Sequence, residues 1–360
     1  ASLRSRQGRV RGVRGCPRRQ RGHRALLASG RRRERSEEGR RVPGQVELEA
    51  FGVGEADPLS PPVPFEDVPL EEDEPSPELF VDDPESEDPG VDFSDVEFEV
   101  TQVSGTVWVL ISGRGGNIGV SSGPDGVLMI DDQFAPLADK IRAALQKAGT
   151  SSDIKFLLNT HFHGDHTGGN IEFGEEATII AHTNVRERLA APGDATARAL
   201  PVITFDDALS IHFNGEEIRA FHIPDAHTDG DAVIYFMGSN VLHMGDNFFS
   251  GLFPFVDIAN GGSIAGVERG VSDILQHVPE NISIIPGHGP LSTVEDLELY
   301  HRMLLETVAM VEQKMERGLS IEQIQDEGVA EEWSEWGTGF VSTDRWLDTL
   351  YRSLSGSSDG

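Results

Sequence analysis

Cysteine is nearly missing from this 360-residue chain: the single Cys16 excludes an internal disulfide and any cluster of thiolate metal ligands. Long apolar runs are missing too. No stretch of about 18 apolar residues is available to span a bilayer, and no apolar core follows a basic region near the start as in a secretory signal. The chain begins with Ala1 rather than Met, which leaves a processed leader, and with it the compartment, open. Lysine and arginine are absent between residues 46 and 99, which hold 20 acidic residues, whereas residues 1–41 hold 15 Arg and 3 acidic residues. Like charges at that density repel, and the prolines of PLSPPVPFEDVP and EEDEPSPELF interrupt helices. Too few apolar residues remain to offset the entropy of ordering. Residues 1–97 are therefore expected to be a disordered tail, Arg-rich over 1–41 and acidic and Pro-rich over 46–97. The Arg block could bind nucleic acid, act as a transit segment, neutralise the acidic block or have no specific role.

What is present is enough for one large domain. The chain is 38% hydrophobic with a formal charge of -31, and from about Phe98 short apolar runs alternate with turn signals. Val107 to Ile111, Ile118 to Ser121 and Val127 to Ile130 read as strands around the turn Gly123-Pro124-Asp125-Gly126. Leu137, Ile141, Ala144 and Leu145 recur at helical spacing, and Ile154 to Leu158 reads as a buried strand. Further strands are expected at 179–182, near Ile211 and Ile218 on either side of Asn214-Gly215, and at 232–236, 241–244 and 282–285. A helix is expected at 264–277. Ser292 with Glu295 is expected to cap a long helix reaching about Arg317, and Ser320 with Gln323 a shorter one. Alternating sheet and helix segments imply two sheets back to back with helices outside.

The densest chemistry follows the strand IKFLL. In THFHGDHTGGN, His161, His163, Asp165 and His166 crowd one turn. Imidazole is the commonest protein ligand for zinc. Histidines two apart at a strand mouth can face one cavity, while Gly164 relieves crowding so that Asp165 and His166 can turn toward a neighbouring position. These side chains are too few for two ions, so more ligands are expected from loops after later strands. His227 in PDAHTDGD, Asp246 in HMGDN and His288 in PGHGP are the candidates.

The ordered set THFHGDH, AHTDGD, HMGD and IIPGHGP resembles the motifs of the metallo-beta-lactamase superfamily over roughly residues 98–295, and looks closest to its lactamase-like or quinoprotein-associated zinc hydrolases. The resemblance implies an α+β fold, a four-layer αβ/βα sandwich, with a catalytic domain at 98–295 and a helical C-terminal extension at 296–360 packed on it. It also implies a two-zinc site: His161, His163 and His227 on the first ion, Asp165, His166 and His288 on the second, and Asp246 bridging both. Two cations about 3.5–4 Å apart lower the pKa of a shared water toward about 7. The implied activity is hydrolysis of a cyclic amide or ester of a small molecule by that hydroxide, with Asp165 orienting the water.

Substrate is less sharply marked. Lactamases of the superfamily often carry Cys where Asp246 stands and Lys where Phe249 stands; acyl-homoserine lactonases share the Asp but usually have Tyr at the later position. Flavodiiron proteins have Glu in place of His163, and persulfide dioxygenases use one iron and fewer ligands. Glyoxalase II shares the bridging Asp, which keeps a thioesterase as an alternative, although its glutathione-binding helical region has no visible counterpart after Pro290. A two-metal phosphodiesterase or nuclease is the other alternative. From residue 100 onward there are 15 basic against 38 acidic residues, and that excess of negative charge repels a polyanion. Oligomeric state is left open.

Other residues carry two readings each. His182 could lie behind the ligands or touch substrate, but it ends a strand and reads first as structural; His222 and His243 read as structural histidines. Asn260 could face a substrate oxyanion or simply form a turn. Phe248, Phe249, Leu252, Phe253 and Phe255 could line a substrate cavity or fill the core. Trp333, Trp336 and Trp346 are expected to pack the C-terminal helices on the sandwich, or to meet a second copy.

Overall fold

A computed structural model of the chain describes residues 92–149, 153–191, 193 and 196–355. The tail expected over 1–97 lies outside the described residues as far as residue 91. Within 92–97, Phe93 and Val96 pack against the core, and the Phe93 ring sits 5.2 Å from that of Phe134. Lys140 Nζ donates to the carbonyls of Phe93 and Val96 at 2.8 Å.

Strands β1 (Glu99–Ser104), β2 (Val107–Ile111), β3 (Ile118–Gly123) and β4 (Gly126–Ile130) form an antiparallel meander. After it, β5 (Ile154–Leu158), β6 (Thr178–His182) and β7 (Ile203–Phe205) add in parallel, giving a seven-stranded sheet in sequence order. A second, five-stranded sheet holds β8 (Ala208–Phe213), β9 (Glu216–His222), β10 (Ala232–Phe236), β11 (Val241–His243) and, parallel to β11, β12 (Ser283–Ile285). Asn214 and Gly215, at φ 51° and 83°, make the two-residue turn between β8 and β9, the left-handed pair that asparagine and glycine tolerate best.

Period-two alternation sorts the strand side chains into two cores. In β4, Val127 and Met129 cluster with Leu137, Ile141, Ala144 and Leu145 under helix α1 (Ala138–Lys147). The intervening Leu128 and Ile130 cluster with Ile218, Ala220, Ile234 and Phe236 of the second sheet. Short helices α2 (Gly164–Thr167) and α3 (Asn170–Phe173), then α4 (Thr183–Ala190), follow the parallel strands. Val233, Leu242 and Ile284 of the second sheet are buried outside the inter-sheet cluster. The outer side carries α5 (Ile264–His277) and α6 (Val294–Glu316), packed on each other. Gly270 of α5 lies so near the end of β9 that a Cβ there would come 2.6 Å from Ile223 Cγ2. The result is the expected αβ/βα sandwich.

One expected cap is displaced by a residue. The long helix α6 is capped by Thr293, whose hydroxyl and backbone N–H form a reciprocal box with Asp296, rather than by Ser292 with Glu295. Ser292 is held in extended backbone, exchanging N–H and C=O bonds with Ile284 at 2.8 and 2.9 Å, and so cannot turn into the helix. The Ser320–Gln323 box is present at the start of α7 (Ile321–Glu327). Beyond it, a 3-10 segment at Glu331–Thr338 and helix α8 (Thr343–Ser355) return to the domain. Trp333, Trp336 and Trp346 are buried there; Trp346 stacks on Phe253 at 5.7 Å and donates to Thr307 Oγ1 at 3.2 Å.

Candidate metal centre

The site forms where the parallel strands end. β5 runs between β4 and β6, and its C-terminal end passes straight into Asn159 to His163. His163 has extended backbone and α2 starts at the next residue, so the chain reverses and brings Asp165 and His166 back beside His161. The loops after β9, β11 and β12 deliver His227, Asp246 and His288 to the same edge. All seven side chains assemble there, in three overlapping groups: His161, His163 and His227; His161, His166 and Asp246; Asp165, His166 and His288.

Within the first group, His163 Nδ1 lies 3.1 Å from His161 Nε2 and 2.9 Å from His227 Nε2. In the last, Asp165 Oδ2 lies 3.4 Å from His166 Nε2 and 3.3 Å from His288 Nε2. Asp246 sits between the two sets: Oδ1 is 3.1 Å from His166 Nε2, and Oδ2 is 3.3 Å from His288 Nε2 and 3.6 Å from His227 Nε2. Backbone must pass very close to this carboxylate. A Cβ on Gly287 would fall 2.0 Å from Asp246 Oδ1, and one on Gly116 would fall 2.1 Å from His166 Cε1.

The opposite nitrogen of each inner histidine is occupied by an acceptor. His163 Nε2 meets Asp257 Oδ2 at 3.0 Å, His227 Nδ1 donates to the Phe255 carbonyl at 2.8 Å, and His166 Nδ1 donates to Asp131 Oδ2 at 2.7 Å. Thr160 Oγ1 gives its proton to Asp131 Oδ2 at 2.7 Å, so its lone pair accepts from His161 Nδ1 at 3.0 Å. Each ring is thereby fixed in the tautomer that turns a lone pair inward, as metal-bound histidines require. His166 Nε2 and Asp246 Oδ1 are buried without a hydrogen-bond partner, their 3.1 Å contact lacking the alignment of one. Once the inward nitrogens are deprotonated, their lone pairs and the carboxylates repel unless a cation lies between them, so the donor set fits divalent metal.

Charge is balanced in two ways across the cluster. Burial, aided by the other histidines, pushes His161 well below the usual imidazole range and burial takes His227 to about 4, so both stay neutral. For His288 burial acts the same way, but Asp246 and Asp165 outweigh it and lift the imidazole to about 10. His166 is likewise raised against burial by Asp165, Asp246 and Asp131. Asp246 is held well below the carboxylate range, its burial overcome by His166 and His288. In the metal-free cluster, protons occupy the carboxylate-rich half, and metal must displace them.

Asp131 and Asp257, which the motifs did not single out, are the supports of this arrangement. Asp131 follows β4 at φ 62° and, fully buried, takes Thr160 N–H and Oγ1–H as well as His166. Asp257 accepts from Asn260 Nδ2 at 2.7 Å, and Asn260 Oδ1 in turn accepts from Arg188 Nη1 at 2.5 Å. Asn260 thus stands behind His163. His182 caps α4 by accepting from Asn184 N–H, bonds the Asp206 carbonyl, and stacks on His222 at 3.9 Å. His243 bonds the Asn117 carbonyl at 3.0 Å. A cavity of about 550 Å³ opens over the cluster, with His163, Asp165, Asp246 and His288 on its floor. Phe249, Leu252, Phe253 and Phe255 line it, whereas Phe248 packs inside against Tyr300 at 5.1 Å.

The two-sheet sandwich thus carries at its edge a histidine-carboxylate cluster that could hold metal. Residues 111–299 match the metallo-beta-lactamase superfamily, and the chain belongs to it. Over 151 residues, 41% of this chain and 46% of the relative, it is 27% identical to the 2,4-dinitroanisole O-demethylase subunit alpha of a Nocardioides strain. Over 99 residues, 27% of this chain and 37% of the relative, it is 31% identical to a hydroxyacylglutathione hydrolase of Pelagibacter ubique. The chain spans less than half the length of these two relatives. Among solved structures, a metallo-beta-lactamase from Pontibacter korlensis aligns over 58% of this chain and 99% of its own, with TM-score 0.51 and 19% identity. Among the described residues, no helix is long and apolar enough to cross a membrane.

Proposed function

We propose that the chain is a hydrolase working with two divalent cations, zinc in the first instance, that opens a cyclic amide or ester of a small molecule. The carrying observation is the inward convergence of histidine nitrogens and carboxylates, with the outer nitrogens of His161, His163, His166 and His227 already bonded. His161, His163 and His227 would hold one cation, Asp165, His166 and His288 the other, with Asp246 shared. Bound there, the cations would polarise the substrate carbonyl and make water ionisable near neutral pH. Asp165, kept below its ordinary range against burial by His166 and His288, stays ionised and accepts a hydrogen bond from the attacking water. Phe249, Leu252, Phe253 and Phe255 give the cavity an apolar wall beside the candidate ligands.

A second reading, thioester hydrolysis, is favoured by the hydroxyacylglutathione hydrolases among the relatives. Both are tested together. Purified protein is assayed for metal and for hydrolysis of nitrocefin, lactones, thioesters and phosphodiesters, with and without chelator and as Asp165→Asn. Lactone or lactam turnover that falls with chelator and in the variant supports the first reading, and thioester turnover alone supports the second. Inactivity of metal-loaded protein on the whole panel would remove both, and cleavage confined to phosphodiesters would replace them.

A further inference from the structure

The wall of the cavity comes from two remote parts of the chain. Phe249, Leu252, Phe253 and Phe255 follow β11, while Gly339 and Phe340 arrive from the turn before α8, beyond the residues that match the superfamily. We infer that Phe340 is a specificity-determining residue, forming with Phe255 an apolar subsite for the acyl chain of the substrate; this rests on the hydrolase reading above.

Phe340 is 46% exposed although it lines the cavity, and its ring meets Phe255 edge to face at 5.9 Å. Phe255 is itself 5.7 Å from the His163 ring, so Phe340 stands one ring away from the candidate ligands. The Arg345 guanidinium lies 4.5 Å from the Phe340 ring centre and 5.0 Å from that of Phe255, bracing the pair from one side. The segment is fastened to the domain rather than draped over it. Phe253 N–H donates to the Trp336 carbonyl at 3.1 Å, and a Cβ on Gly339 would already touch Leu252 Cδ2 at 3.0 Å. A fixed, half-exposed aromatic ring beside a reacting centre gains burial only when an apolar group covers it. An acyl chain leading away from the carbonyl over the candidate ligands supplies that cover.

The test uses metal-loaded full-length chain with 4-nitrophenyl acetate, butyrate and hexanoate, and separately the binding of butyrate, hexanoate and octanoate by calorimetry. kcat/KM and affinity should both rise with chain length, by up to about fourfold per methylene buried. Phe340→Ala should flatten both series, and Phe340→Leu should restore much of the slope. Melting curves of both variants control for folding. Esters cleaved equally well at every chain length, or an unchanged slope in Phe340→Ala, would overturn the subsite while leaving the hydrolase reading intact. Carboxylate binding that keeps its Phe340-dependent slope when the metal-loaded chain cleaves neither these esters nor any lactone, lactam or thioester would sustain the apolar subsite and remove the hydrolase reading.

Discussion

Replacing Asp131 by Asn should loosen both the fold and the metal centre. Asparagine tolerates the left-handed backbone that Asp131 adopts at φ 62°, so the substitution changes charge and hydrogen bonding without adding backbone strain. In the native site Oδ2 accepts from both Thr160 Oγ1 and His166 Nδ1 at 2.7 Å, while Oδ1 accepts from Thr160 N–H at 2.7 Å. An amide has one accepting oxygen. Whichever way it is turned, its NH2 opposes at least one buried donor. The loss of a charge-assisted bond, about 1.5–3 kcal/mol, and a donor left unpaired, about 1–3 kcal/mol, together amount to about 2.5–6 kcal/mol. For a domain of this size that is a fall in melting temperature of roughly 10 °C. His166 exchanges its carboxylate partner for at best a neutral amide oxygen, which should weaken metal binding by about 10- to 100-fold. Calorimetric melting of the metal-free protein and titration with zinc read the two effects separately. A melting shift under about 2 °C with unchanged metal affinity would refute the assignment of Asp131 as the support of His166 and Thr160.

Gly287→Ala should displace the Asp246 carboxylate, because the added Cβ would fall 2.0 Å from Oδ1; elemental analysis should show less bound metal, and full loading would contradict the close approach. Trp346→Ala removes a fully buried ring stacked on Phe253 and should cost about 3–5 kcal/mol in chemical denaturation. A cost below about 1 kcal/mol would mean that the C-terminal helices contribute little to the domain. The metal-free protein should lose stability as pH falls from the ordinary imidazole range toward 4. Burial holds folded His227 down at about 4, with His161 and His243 also lowered, so the unfolded chain takes up protons first at these three. The buried Asp132 and Asp231, raised by burial, act in the opposite sense and reduce the loss without reversing it. The histidine contribution is fully present above the unfolded pKa. Melting temperatures that stay flat from pH 7 to about 4.5 would contradict it.

Much of this arrangement was legible in the residues, and the parts that were not share a cause. The strands 154–158 and 232–236 and the helix 264–277 have the expected limits, because each is a compact apolar run or an amphipathic repeat bounded by turn formers. The seven candidate ligands lie together because each follows a strand and the strands end at one edge. The cap of α6 could not be read, since Ser292–Glu295 and Thr293–Asp296 both fit the capping pattern; the pairing of Ser292 with Ile284 decides between them. Asp131 and Asp257 carry no local signature, the one opening an Asp-Asp pair and the other a lone acidic residue, each after an apolar segment, and only the fold brings them to His166 and His163. Phe340 is hidden for the same reason, since nothing near it in sequence tells of Phe255.

Metal stoichiometry of the purified chain, measured by elemental analysis beside the His161→Ala and His288→Ala variants, tests the central claim most directly. The parent should hold about two divalent cations per chain, with a marked loss in each variant. A parent with no tightly held metal, or variants that load as fully as the parent, would contradict it.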